Sequence, residues 1–414
     1  MGNLVNIKRY GSGTNTQTQN TIANPTCFDP NSLTAILANP AMCGPTTAIA
    51  KTIIQVTPAY RSPDSEQFST SLERQLTKTT SLSATYLRTY GIHQMVTRDA
   101  NAYLPGDYTF NADGTTTIKN SRPLSTVNPN LGIVQQYDSE AIFKQNQLIV
   151  NINARITRAF NLSGFYNLTS VHSDTGTASN SYNLMQDYRR AAFASRNMLF
   201  LMGNYIGPFN FTFNPFLLAQ SGRPYNFVSQ NDLTGDNFLN DRPSIVASSN
   251  CTLGSTQYFQ TPYGCFNTIP QPGETIISGN MGNGPAAVAL NLRITRAFGI
   301  GPKLESAGGP ASGGGPGGGG PPLGGGGRGG FGGGGFGGGF GGGRGMMDGT
   351  ANTGHKYSLS FSVQALNLFN DIDRGQPIGT VNSPNFGQSK SLASGIFSSG
   401  SAARRIFIQT SFSF

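Results

Sequence analysis

The sequence predicts an all-β protein, an antiparallel transmembrane β-barrel of which this chain supplies only a part. Apolar and polar side chains alternate with a period of two along much of the chain, and the connections between the alternating segments are short and long in turn. No stretch approaches the roughly 18 apolar residues that a membrane-spanning helix requires. Only 11% of the 414 residues are charged, against about 25% in typical globular proteins.

Nine strands are predicted from this alternation. In the clearest strand, 148–157, Leu148 and Val150 share one face, whereas Asn151 and Asn153 lie on the other. The other clear strands are 288–295, 357–365 and 406–414. The segments that fit less cleanly are 67–77, 80–90, 161–171, 192–205 and 209–214, with LVNIKRY at 4–10 as a candidate tenth strand. Soluble sandwiches show the same alternation, so this pattern alone does not decide between water and lipid.

The connection lengths favour lipid. The links after positions 78, 159 and 206 are only about two residues long. The links between them are long, and they span 91–143, 173–191, 221–285 and 370–402. Strict alternation places all the long links at one rim, as in outer-membrane barrels with short periplasmic turns and long extracellular loops.

The predicted organisation has four parts. Residues 1–64 form an extracellular loop region with a candidate partial strand, and residues 65–300 hold barrel strands and the first three long loops. Residues 301–354 form a glycine-rich periplasmic insertion, and residues 355–414 hold the last two strands with the loop 370–402. The insertion contains the tract 308–349, which holds 27 of the 55 glycines. A chain of this composition buries too little apolar surface to offset its ordering entropy, so we predict a flexible spacer.

The polar face of the strands predicts which residues line the barrel lumen. These are Asn151, Asn153, Arg155, Asn291 and Arg293. At the carboxy terminus, Phe414 closes an alternating strand, which resembles the assembly signal of outer-membrane barrels. This resemblance implies that the last strand is read by the barrel assembly machinery and that the carboxy terminus faces the periplasm.

The four cysteines fall into two local pairs, Cys27 with Cys43 and Cys251 with Cys265. Neither pair forms a CxxC motif and the chain has only three histidines, which argues against a zinc site. Both pairs lie in polar segments, where each would close a loop of about 15 residues as a disulfide in an oxidising compartment. Free structural thiols are the alternative.

No catalytic constellation is present, so we do not expect an enzyme. The oxygen-bearing residues Asp232, Asp236 and Asn240 surround a glycine and could wrap Ca²⁺. They lack the regular ladder of a calcium loop and its terminal glutamate, and Asp, Asn and Gly are ordinary turn residues. Calcium is therefore the less favoured alternative, and no other cofactor is expected. The net charge of +9 is scattered along the chain, so we expect no nucleic-acid partner.

Five segments carry a family resemblance: 65–94, 143–160, 219–243, 365–388 and 404–414. The most specific motifs are NLFN at 367–370 and SPNFGQ at 383–388, together with the terminal phenylalanine. Taken jointly, they resemble the carboxy-terminal barrel of TonB-dependent outer-membrane receptors of the Oar-like group. Complete members carry a carboxypeptidase-regulatory-like domain, a plug and a barrel of about 22 strands. Because this chain shows only nine or ten strands and no plug, energy-coupling box or signal peptide, we expect a truncated or split product.

The resemblance implies a location in the outer membrane and a role in importing a bulky solute. The expected partners are outer-membrane lipid, the barrel assembly machinery, an unknown solute and, through the missing plug, the TonB energy-coupling complex. One alternative is a surface-exposed outer-membrane barrel or adhesion protein that transports nothing. Another is a secreted soluble β-protein with a glycine-rich linker.

Overall fold

The computed structural model describes most of the chain. It covers residues 4–9, 18–23, 46–49, 51–128, 131–236, 238–252, 255–303, 353–397 and 402–413. The prediction of an all-β protein is confirmed, because the described residues form strands and a few single-turn 3₁₀ helices. None of the helices in this part of the chain is long and apolar enough to span a membrane.

The strands are numbered in chain order. They are β1 Leu4–Arg9, β2 Thr18–Ala23, β3 Thr46–Ile49, β4 Lys51–Val56, β5 Asp64–Thr77, β6 Thr80–Asp99, β7 Tyr108–Phe110, β8 Thr116–Ile118, β9 Leu131–Arg155, β10 Phe160–Ser173, β11 Gly176–Thr177, β12 Arg189–Arg190, β13 Asn197–Ile206, β14 Phe211–Gln220, β15 Pro224–Tyr225, β16 Ser244–Val246, β17 Tyr258–Thr261, β18 Gly264–Asn267, β19 Thr275–Ile276, β20 Gly282–Asn283, β21 Ala287–Lys303, β22 His355–Leu366 and β23 Arg405–Ser413. The 3₁₀ helices are Pro123–Thr126, Leu184–Asp187, Pro208–Asn210, Ser248–Asn250 and Gly395–Phe397.

Nine of these strands form an antiparallel meander, which we call the main sheet. Its order is β5-β6-β9-β10-β13-β14-β21-β22-β23, so each strand pairs with the next long strand along the chain. In a meander, successive connections lie at alternate ends of the sheet. The links 100–130, 174–196, 221–286 and 367–404 therefore share one end, which we call the long-link end. The turns at 78–79, 156–159 and 207–210 lie at the other end.

The main sheet has two edges. Among the described strands, β5 pairs only with β6, and β23 pairs only with β22. The strand β1, which covers the predicted tenth strand, does not extend the main sheet. It pairs instead with β2, which pairs with β3 in a separate three-stranded sheet.

The first long link is shorter than predicted, because β6 and β9 continue far beyond residues 91 and 143. The two strands stay paired along this extension, for example Val96 with Asp138 and Thr97 with Tyr137. Val96 and Asp138 are both buried, since β4 and β11 add to the ribbon. The extension is buried on both sides and mixes polar with apolar residues, so it lacks the alternation that revealed the other strands.

Candidate functional site

The register of the main sheet gathers its apolar side chains on one face. Leu72 lies opposite Ala84, which pairs with Val150. In the same way, residues on the apolar face of each strand lie opposite residues on the apolar face of the next, through all nine strands. Many of these side chains are exposed. The face contains Phe68, Leu72, Leu82, Ala84, Leu148, Val150, Ile152, Leu162, Leu168, Leu199, Leu201, Phe213, Leu217, Val288, Leu290, Leu292, Ile294, Leu359, Phe361, Val363, Ile406, Ile408 and Phe412.

The five residues predicted to line the lumen all lie on the opposite, polar face. Asn151 donates a hydrogen bond to the Ser83 hydroxyl at 3.2 Å. On β21, Arg293 donates to Ser362 on the neighbouring strand at 3.2 Å, and Asn291 accepts from the Asn367 amide at 2.8 Å. Asn153 and Arg155 follow Asn151 on the same face of β9. The polar face is therefore cross-linked by side chains from several strands.

We call this polar face of the main sheet the inner face. Near the long-link end, aromatic rings replace its polar groups. Phe200 stacks on Phe165 at 5.2 Å between centroids and contacts Phe216 edge-on at 4.9 Å. Phe216, Phe200 and neighbouring apolar side chains pack against a buried cluster that includes Leu218 and Phe397. Because Phe397 belongs to the last long link, that link folds back over the inner face of β14 and β21.

The 221–286 link and the last long link share a small core. Phe227 is completely buried, and its ring lies 4.9 Å from Tyr263 and 5.0 Å from Phe386. Strands β16 to β19 form a four-stranded sheet in this link. A disulfide joins Cys251 to Cys265 across it, with 5.9 Å between the Cα atoms. The other predicted pair, Cys27 and Cys43, lies outside the described residues, and so does Phe414.

The last long link is bound to the 221–286 link by backbone contacts. The Val228 amide donates to the Gly379 carbonyl and the Val381 amide donates to the Val228 carbonyl, each at 3.0 Å. A side chain at Gly379 would collide with the carbonyl oxygen of Asn226, so this close approach requires a glycine. The two links therefore form one packed layer at the long-link end.

A cavity of about 1010 Å³ opens between these two links. Tyr225, Tyr263 and Phe386 supply aromatic surface to its lining, and Arg374 and Lys390 supply positive charge. A smaller cavity of about 100 Å³ shares Arg374 with it and adds Arg223. We call the two together the loop cavity. Burial and a hydrogen bond with Tyr263 raise the pKa of Tyr225, so its phenol stays neutral at physiological pH.

No carboxylate lines the loop cavity. Within the described part of the chain, none of its three cations forms an ion pair. The acidic residues closest in sequence, Asp371 and Asp373, do not belong to the lining. Asp373 is buried, and its carboxylate accepts a hydrogen bond from the Val288 amide at 3.0 Å. The cavity is thus both aromatic and positively charged.

The candidate calcium loop is built mainly from turns. The Asp232 carboxylate accepts from the amides of Gly235 and Asp236, and Asp236 accepts from the Phe238 amide at 2.9 Å. Asn240 donates to the carbonyls of Thr177 and Ala178. One oxygen of Asp236 and the side-chain oxygen of Asn240 are buried without a hydrogen-bond partner.

These two oxygens are suitable calcium ligands, but no three His, Cys, Asp or Glu side chains among the described residues converge on a metal position. Calcium binding stays a prediction.

The residue next to this loop, Asp241, is buried and receives a hydrogen bond from the Leu233 amide at 2.6 Å. Burial, together with the neighbouring Asp236 and Asp232, raises the pKa of Asp241 to about 8. Burial likewise raises the pKa of Asp236 to about 6.

The neighbouring Arg242 lies 3.1 Å from Asp187 in the 174–196 link and donates to the Gln186 carbonyl at 3.0 Å. It therefore fastens one long link to another.

The sequence did not predict the residues of the loop cavity. Arg223 and Arg374 lie in different links, and Lys390 follows in a segment without periodicity. Tyr225 and Arg223 lie in the segment 219–243, and Phe386 and Arg374 lie in the segment 365–388. Both segments carried the family resemblance, but the resemblance assigned no cavity to these residues.

Comparison with known proteins agrees with this architecture. The family model described as "Outer membrane beta barrel domain" matches residues 3–305. No curated protein sequence matches the chain.

Solved structures with similar folds include the outer membrane transporter YddB from Escherichia coli, with 10% identity, a TM-score of 0.42 and coverage of 88% of this chain and 34% of that one. The ferric-catecholate import receptor Fiu from E. coli K12 has 9% identity and a TM-score of 0.36 over 86% of this chain and 28% of that one. The ferripyoverdine receptor of Pseudomonas aeruginosa has 9% identity and a TM-score of 0.34 over 84% of this chain and 27% of that one.

The chain spans about a third of the length of these solved proteins, or less. The family match is stronger evidence, because it covers well over half of the chain and includes seven of the nine strands of the main sheet. The protein therefore belongs to the outer membrane beta barrel domain family and resides in the outer membrane.

Proposed function

We propose that this chain is the carboxy-terminal part of the barrel of a TonB-dependent transporter that imports a bulky solute. The observation that carries the proposal is the loop cavity. It lies between two long links that are packed together at one end of the sheet, beside an inner face that is polar along most of its length. A solute captured there would be positioned at the entrance to the polar interior.

The proposal includes the partners of such a transporter. The apolar face would contact lipid, and the last strand would be read by the barrel assembly machinery. Energy coupling would pass through a plug, which in complete transporters lies inside the barrel. Among the described strands, β5 and β23 each pair on one side only. This supports the idea that further strands complete the wall, since hydrocarbon does not tolerate unpaired backbone groups.

A non-transporting surface protein is the second candidate. The observation in its favour is the 221–286 link, whose four-stranded sheet, disulfide and aromatic core resemble a preformed recognition surface. Such a link would bind a partner without passing anything inward.

Depletion of solutes from the growth medium distinguishes the two candidates. We would compare the native host, a strain lacking this gene and the complemented strain by mass spectrometry of the spent medium. A transporter predicts that at least one bulky solute remains in the medium of the deletion strain and of a strain without TonB. Identical depletion in all strains would contradict transport and favour the surface protein.

A further inference from the structure

We propose that the loop cavity selects a negatively charged organic solute with a flat, apolar part. This inference rests on the proposed function and narrows its solute class. The lining offers two kinds of surface: the rings of Tyr225, Tyr263 and Phe386 and the cationic side chains of Arg223, Arg374 and Lys390.

The charge of the cavity is uncompensated within the described residues. Several other arginines at the long-link end are paired with carboxylates, among them Arg98 with Asp138 at 2.5 Å, Arg189 with Asp187 at 2.6 Å, and Arg122 with Asp99. The cations of the loop cavity have no such partner and are exposed. Because their charge is neither paired nor buried, they are available to an anion without breaking an existing contact.

The aromatic side of the cavity is held rigidly. Phe227 fixes Tyr225, Tyr263 and Phe386 from behind through ring contacts of 4.9 to 5.3 Å. Rings that are already ordered lose little conformational entropy when a ligand stacks on them. A guanidinium group beside an aromatic wall suits a planar anion, since arginine binds carboxylate or phosphate in a bidentate manner.

Two sources could supply such an anion: a dissolved solute, or the phosphorylated headgroup of outer-membrane lipopolysaccharide. We assign the cavity to the dissolved solute, because the inner aromatic cluster around Phe200 and Phe397 adjoins the same links, on the face opposite the exposed apolar surface that contacts lipid. The experiment below includes both.

The test is isothermal titration calorimetry of the full gene product, purified in detergent, with benzene-1,3,5-tricarboxylate as the probe. The neutral triamide of the same ring is the matched ligand. We expect the tricarboxylate to bind and the triamide to bind at least about tenfold more weakly, with an affinity for the tricarboxylate that falls as salt is added. Equal binding of the two ligands, or no binding of either, overturns the inference.

Substitutions test whether the tricarboxylate binds in the loop cavity. Arg374→Gln and Lys390→Gln should each weaken tricarboxylate binding by about three- to tenfold, the range for losing one hydrogen bond of ordinary net strength. Arg374→Lys keeps the charge but loses the bidentate geometry, so it should weaken binding less than Arg374→Gln does. The control is Arg158→Gln, in the turn 156–159 at the opposite end of the sheet, which should change nothing. An equal loss in the control variant overturns the assignment to the loop cavity.

Lipopolysaccharide is added in a competition experiment. Failure to displace the tricarboxylate is the expected result, and displacement would overturn the assignment to a dissolved solute.

The outcomes of these binding experiments are separable from those of the medium-depletion experiment. Uptake of a neutral solute without tricarboxylate binding rejects this inference but keeps the transporter. Tricarboxylate binding without any uptake keeps the anion site and rejects transport.

Discussion

The carboxyl group of Asp241 lies where its neutral form is favoured. Its pKa rises from an ordinary 3.8 to about 8, mainly because the side chain is buried. The folded protein therefore binds this proton more tightly than the unfolded chain does. The stability that this proton contributes is fully present below the unfolded pKa of 3.8 and is lost as the pH rises towards the folded pKa of about 8.

We therefore expect the 221–286 link to open more readily at pH 8 than at pH 5. Hydrogen exchange of residues 231–246, corrected for the intrinsic effect of pH, measures this opening. Asp241→Asn should remove most of the pH dependence, because an amide stays neutral. As the control, Asp113→Asn should leave it unchanged, since Asp113 lies in a different link and its pKa is lowered by hydrogen bonds from Thr115. Equal slopes for the wild type and Asp241→Asn would contradict the prediction.

The same hydrogen-exchange measurement tests whether this loop binds Ca²⁺. A bound Ca²⁺ would stabilise the ionised carboxylates of Asp236 and its neighbours and would flatten the pH dependence. If Ca²⁺ and a chelator give identical exchange, the calcium prediction is wrong.

At the scale of single residues, sequence reasoning identified the polar face of the sheet but not the loop cavity. Asn151 and Arg293 were found because strand periodicity fixes the face on which a side chain lies. Arg223 and Arg374 were not, because no local pattern links two residues that meet only through the packing of separate loops. Burial, which sets the pKa of Asp241, is likewise a property of the folded links.

At the scale of elements, one repeated hexapeptide shows the limit of local sequence. RITRAF occurs at 155–160 and at 293–298, and the pattern suggests that each copy ends a strand. The first copy does form the turn between β9 and β10, whereas the second lies inside β21. There Arg296 pairs with Phe361 and Phe298 with Leu359 on β22. The neighbouring strand therefore decides the conformation of the repeat, as expected where tertiary context overrides propensity.

The 221–286 link offers a second prediction, at its disulfide. Cys251 and Cys265 are 14 positions apart, and closing a loop of about 15 residues contributes about 3 kcal/mol by reducing the entropy of the unfolded link. Replacing both cysteines by serine should lower the local free energy of unfolding of β16 to β19 by about that amount. Hydrogen exchange in these strands measures the loss.

The internal control for the disulfide is the main sheet, whose exchange should not change in the double serine variant. The wild type in reductant should reproduce the variant. Unchanged protection of β18, in which Cys265 lies, would mean that the packing of Phe227 and Phe266 alone maintains this sheet.

At the scale of the whole molecule, the two faces of the main sheet have different surroundings, and a pair of neighbouring residues tests this. Ile294 and Thr295 lie near the middle of β21, and Ile294 is on the apolar face. Ile294→Arg should lower the free energy of unfolding in lipid vesicles by about 1–3 kcal/mol, the cost of arginine facing lipid between the bilayer midplane and the interface. Thr295→Arg should cost much less, because its side chain faces the polar interior.

Denaturant unfolding of the vesicle-bound protein measures both values. Equal costs for the two variants would mean that both faces of β21 are surrounded by the same medium. That result would contradict the arrangement of lipid on one side and water on the other.

The architecture as a whole was the most predictable property. Nine strands, their pairing order and the sorting of long and short links follow from period-two alternation and link length, which are both visible locally. The pairing of β1 with β2 was not predicted, since a short strand of mixed composition can add to either of two sheets. The extensions of β6 and β9 were missed because both of their faces are covered.

Those extensions set the height of the protein above the membrane. A bilayer is crossed by about 9–11 strand residues, yet β6 has 20 residues and β9 has 25. Each strand therefore continues for about ten residues or more, which at about 3.3 Å per residue and a tilt of about 45° carries the 100–130 link roughly 20 Å beyond the hydrocarbon core. With the long links on the outer side, as expected from their length, an antibody against the turn around Gly114 would reach its epitope on intact cells without touching the lipid.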